Sequence, residues 1–109
     1  MNNNEIKNLI LEARGGASPG RLSEILVSLS GWYATLAEEL ENIEVFWAEA
    51  WLEARKGVKS DTMADKTLEA SKSGQQRTKL RIQLKYIEKV ISSIKVRLRV
   101  KEGESFGRF

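Results

Sequence analysis

Seven cations in one stretch have the chemistry to hold a ligand: Lys79, Arg81, Lys85, Lys89, Lys95, Arg97 and Arg99. From Arg77 to Lys101 there are nine Lys or Arg and one acidic residue, Glu88. Cationic side chains ranged along one element can track a phosphate backbone, which makes these seven the candidate nucleic-acid contacts. The competing use is ion pairing inside the protein. From Leu22 to Ala54 there are seven Glu and no Lys or Arg, enough to absorb most of the positive charge. Both uses coexist if one cationic flank stays open.

Other chemistry is narrower. The chain has no Cys and no His, which excludes disulfides, thiol chemistry, Cys/His zinc sites and His-based acid–base catalysis. Glu38, Glu41, Glu49 and Glu53 have helical spacing, and Asp61 and Asp65 share a helix face. The usual di-iron pattern of helix bundles, however, needs Glu-x-x-His. Gly15-Gly16-Ala17-Ser18-Pro19-Gly20 lacks the Lys and the preceding strand of a phosphate loop. The expectation is no enzyme, no metal, no cofactor and no small-molecule substrate. Among the aromatics, Trp32, Tyr33, Phe46, Trp47 and Trp51 have faces on which bases can stack. Trp32, Trp47 and Trp51 fall on or beside an apolar seam, so core packing is their expected role. Phe106 and Phe109 lie in the ending ESFGRF, which either docks on a partner or is a free tail.

These residues need elements to position them. A chain of 109 residues with 41% hydrophobic and 30% charged residues is expected to form one folded domain, 1–109. A net charge of +3 is too mild to diagnose a nucleic-acid partner by itself. One Pro, and Gly residues mostly near proposed helix ends, favour an all-α chain. The start Met-Asn-Asn-Asn-Glu has no signal-peptide pattern, and the most apolar window, Val45 to Leu52, is broken by Glu49. A cytoplasmic protein without membrane contact is expected.

The pattern predicts a short helix over 5–14, ended by Gly15 and Gly16. Ser18-Pro19 reads as the N-cap and first residue of a long acidic helix over 19–55. Its seam is Leu22, Ile25, Leu29, Trp32, Leu36, Leu40, Ile43, Trp47, Ala50 and Ala54, with one slip of heptad phase between Leu36 and Leu40. Gly57 is a stop, and Ser60, Asp61 and Thr62 offer new N-caps, with Thr62 and Asp65 approximating a capping box. A basic helix follows over 61–101 with a kink near Gly74, then a flexible tail over 102–109. Leu80, Leu84, Ile87, Ile91, Ile94 and Leu98 form its seam. The short connection makes the two long helices an antiparallel, coiled-coil-like hairpin.

Placed at about 100° per residue, Ile82, Tyr86, Val96 and Val100 fall roughly opposite that seam. A helix with two apolar faces is usually sandwiched between partners. These four residues are therefore the expected homo-oligomer interface, with Val45 and Leu52 as candidates to meet them.

The run from Thr62 to Glu104 resembles the C-terminal half of small helical proteins of tailed phages. In those proteins an acidic helix and a turn precede a segment with Ala and Ser at helical spacing, here Ala64, Ala70 and Ser71. A long helix then closes in Leu-Arg, here within Ser92 to Arg99. The layout is also similar to UvsY-type recombination mediators, although this chain is short and lacks a distinct extra helical element for oligomerisation. The resemblance implies a phage accessory protein, in the host cytoplasm, that binds single-stranded DNA or its coating proteins as a homo-oligomer. The alternative is a protein-binding adaptor or inhibitor of a host enzyme, for instance in anti-defence, with no nucleic-acid contact.

Overall fold

The computed structural model describes residues 3–106, with side chains described through residue 100. It is all-α, with four helices: α1 (Asn3–Arg14), α2 (Pro19–Lys56), α3 (Asp61–Ala70) and α4 (Lys72–Phe106). No strand occurs among the described residues.

Local chemistry sets the helix ends. α1 stops where Gly16 adopts a positive φ of 85°, a conformation that costs a residue with a Cβ and costs glycine little. Ser18 caps α2: its Oγ accepts from the Arg21 backbone N–H at 3.2 Å, and its carbonyl accepts from Leu22 N–H at 2.8 Å. α2 then runs through Gly31 without a break. Ser60 caps α3, accepting from Met63 N–H at 3.2 Å. The Thr62–Asp65 capping box does not form, because Asp65 instead accepts from Trp51 Nε1 at 2.7 Å.

The basic segment expected over 61–101 is two helices, and the break is at Ser71 rather than Gly74. Ser71 ends α3 in an extended conformation and starts α4. Its hydroxyl donates to the Leu68 carbonyl and accepts from Gly74 N–H at 3.1 Å. Gly74 sits inside α4, pressed against the end of α3. A Cβ there would overlap the Leu68 carbonyl oxygen and lie 2.5 Å from that of Glu69. α4 also continues as helix to Phe106, past the expected end at Lys101, with no Pro to stop it. Phe109 lies outside the described residues, and Phe106 is described only as the end of α4.

The chain divides into two compact units. One comprises residues 1–34 and 85–109. Its core is Ile6, Ile10 and Ala13 of α1, Leu22, Ile25 and Leu29 of α2, and Ile87 and Ile94 of α4. Arg21 of α2 ties down Glu12 of α1, with Nη2 donating to Oε1 at 2.8 Å and Nε to Oε2, and Nη1 also reaches Glu24 at 3.0 Å. The Arg21 hydrogen bond holds the Glu12 carboxyl below its ordinary pKa.

The other unit comprises residues 35–84. Leu36, Ala64, Leu68, Leu80 and Leu84 are buried there. The rest of the α2 seam in this unit, Leu40, Ile43, Trp47, Ala50 and Ala54, is only half-buried. The cause is the small size of α3, whose buried contribution is one Ala and one Leu.

Candidate nucleic-acid interface

The candidate cations come to the surface of α4, and their ion pairing is much sparser than the charge count suggests. In the 35–84 unit, Glu44 is the glutamate of α2 that reaches α4. Arg77 Nε and Nη2 donate to its two carboxylate oxygens at 2.6 and 3.1 Å, and Arg81 Nη2 donates to Oε1 at 2.9 Å. Arg77 also lies over the Trp47 ring, 3.9 Å from its centroid. Trp47 is thus engaged by a cation and Trp51 by Asp65, and both are half-buried. Arg81, an expected phosphate contact, is already paired. Lys79 is exposed and borders an open groove with Gln75, Gln76 and Ile43.

The Arg77 hydrogen bond, with Arg77 and Arg81 charge behind it, holds the Glu44 carboxyl below its ordinary pKa. A depressed folded-state pKa stabilises the fold above the ordinary carboxylate range. That contribution disappears as pH falls through the lowered value. Glu44→Gln is therefore expected to be less stable than the parent at neutral pH. The gap should narrow once the solution is acid enough to protonate Glu44, as read by urea denaturation at a series of pH values.

In the other unit, Lys85, Lys89, Lys95 and Arg99 are exposed on α4, and no ion pair is formed by any of them among the described residues. Tyr86 is also exposed, about 60° around α4 from Lys89 on the side away from Lys85, and its hydroxyl accepts from Arg14 Nη2 at 3.3 Å. Arg97 differs from the other candidates: it is half-buried, and its Nη1 donates to the Ala13 carbonyl at the end of α1. That contact satisfies an orphan carbonyl of the last helical turn.

The apolar residues opposite the seam are in water in the single chain. Ile82 is 64% exposed, Val96 56% and Val100 54%. Val45, Phe46 and Leu52 of α2 are also exposed. Among the described residues no cluster of three or more carboxylates is placed to hold a metal ion, and no helix is long and apolar enough to cross a membrane.

One residue of this region escaped the sequence reading. Arg14 is the last residue of α1, where a cation suits the helix C-terminus. Nothing in the local sequence says that α1 lies against α4 and carries Arg14 to Tyr86.

Comparison with protein-family models, curated proteins and solved structures finds no match for this chain.

Proposed function

We propose that this protein is a non-enzymatic accessory protein that binds single-stranded DNA along the outer surface of α4. The observation that carries this reading is the set Lys85, Lys89, Lys95 and Arg99, exposed and without ion pairs among the described residues, with the exposed Tyr86 ring on the flank next to Lys89. Cations neutralise phosphates and release their counterions. An exposed aromatic face stacks an unpaired base, which favours a single strand over a duplex. In this reading the long helices form an antiparallel hairpin, and copies associate through Ile82, Val96 and Val100; Tyr86, grouped with them on the sequence, is left open to the strand. The likeness of layout to phage recombination mediators is the support for reading the activity as recombination or replication of phage DNA in the host cytoplasm.

A second reading has its own support. Val45, Phe46 and Leu52 make an apolar surface on α2 among exposed glutamates, which suits a protein partner better than a nucleic acid. This is the adaptor or inhibitor reading.

Fluorescence anisotropy with a labelled oligothymidylate separates the two. Binding at about 50 mM salt is expected for the DNA reading, and its absence there leaves the adaptor reading. Light scattering at micromolar concentration is expected to give a mass above the 12.3 kDa of one chain. A monomer under those conditions removes the oligomer from the proposal.

A further inference from the structure

Within the unit formed by residues 1–34 and 85–109, the end of α1 and the face of α4 enclose a cleft of about 210 Å3. Arg14, Lys89 and Arg97 line it, together with the hydroxyl-bearing Tyr86 and Ser93. No carboxylate lines it, and the acid of α1 nearest in sequence, Glu12, is held by Arg21. None of the three cations forms an ion pair among the described residues.

Helix capping explains part of this arrangement. Arg14 and Arg97 lie at the C-terminal end of α1, where cations are favoured, and Arg97 takes up the Ala13 carbonyl. Capping does not account for Lys89 or for Ser93. Of the roughly five N–H donors of a guanidinium, the Ala13 contact uses one of those on Arg97. The Tyr86 oxygen accepts from Arg14, so its own proton is left to donate. Three cations and two hydroxyl-bearing side chains line a space with no carboxylate among its lining residues.

We infer that this cleft is a subsite for a phosphate monoester, the terminal phosphate of a bound strand. The inference rests on the single-stranded DNA reading and names the group that anchors the strand. A monoester carries about −1.5 to −2 charge at neutral pH and presents three strong acceptor oxygens, matching three cations better than a singly charged diester does. Arginine forks recognise such oxygens bidentately. The volume is below the roughly 300–1,000 Å3 of pockets that enclose a whole small molecule, so it suits a group at a chain end. Tyr86 borders both the cleft and the exposed cationic surface, and so links the end of the strand to its next base.

The test compares one oligothymidylate sequence in three forms: 5′-phosphorylated, 3′-phosphorylated and with both ends hydroxyl. At least one phosphorylated form is expected to bind about tenfold tighter than the hydroxyl form, worth ~1.4 kcal/mol. Arg14→Ala is expected to erase that difference, with unchanged helical circular dichroism as the folding control. Equal affinity for all three strands overturns the subsite and leaves the DNA reading standing. If no strand binds, the DNA reading fails and the cleft is judged alone by NMR titration with thymidine 5′-monophosphate. Saturable amide shifts at Ser93 and Arg97 then support the subsite, and their absence rejects it.

Discussion

Gly74→Ala is expected to destabilise the protein by about 3 kcal/mol or more, while Gly31→Ala is expected to stabilise it by about 0.4–1 kcal/mol. Gly31 lies inside α2, where helix propensity alone favours alanine by nearly 1 kcal/mol, and Gly74 lies in the first turn of α4, where the same preference is weaker. Their surroundings reverse the sign at one of them. A Cβ at Gly31 meets nothing within 4 Å, so the gain in propensity is realised in full. A Cβ at Gly74 would overlap the Leu68 carbonyl oxygen and crowd that of Glu69. These are backbone atoms at the end of α3 and cannot rotate away as a side chain can. Relief requires α3 to move off α4, which loosens the packing of Ala64 and Leu68 and the double capping by Ser71. Urea denaturation of the two variants beside the parent reads both signs. A stabilised Gly74→Ala would mean that the α3–α4 joint is looser than described.

Reversing two charges, Lys85→Glu with Lys89→Glu, is expected to weaken single-stranded DNA binding on the order of 100-fold at low salt, with little change in stability. Both side chains are exposed on the same side of α4, four residues apart, and neither has an ion pair to lose among the described residues. The double variant removes two favourable phosphate contacts and installs two repulsive ones beside Tyr86. Folding is protected because the seam residues beneath, Leu84 and Ile87, are untouched. The same change at Arg77 would be a poor test, since Arg77 carries the Glu44 pair and the Trp47 contact.

The helices were legible in the sequence to the extent that their ends are chemically marked. Ser18-Pro19 and Gly15-Gly16 fix the α1–α2 junction, and the threes and fours of Leu22, Ile25 and Leu29 identify residues that are buried. The α3–α4 break was harder to place. Gly74 was the expected interruption, and finding the break at Ser71 instead depends on which carbonyl the Ser71 hydroxyl reaches. The division at residues 34 and 35 lies close to the slip of heptad phase between Leu36 and Leu40.

Charge was the least legible property. Seven glutamates against nine cations suggested extensive pairing, yet among the described residues the ion pairs from α2 to α4 all fall on Glu44. At about 100° per residue, Glu38, Glu41, Glu49 and Glu53 fall on the side of α2 away from its seam, and all four are exposed. A count of charges ignores direction. The cleft beside Arg14 was hidden for a different reason: it depends on where a twelve-residue helix docks, which its own sequence does not state.

The most direct measurement is the salt dependence of oligothymidylate binding by the parent chain and by the Lys85→Glu, Lys89→Glu variant. A single strand contributes a slope of about −0.7 in log K against log salt for each neutralised phosphate, so four open cations give a parent slope of roughly −3. The variant slope should be shallower by at least about 1.4. Equal slopes for the two proteins, or a parent affinity indifferent to salt, would contradict the assignment of α4 as a phosphate-binding surface.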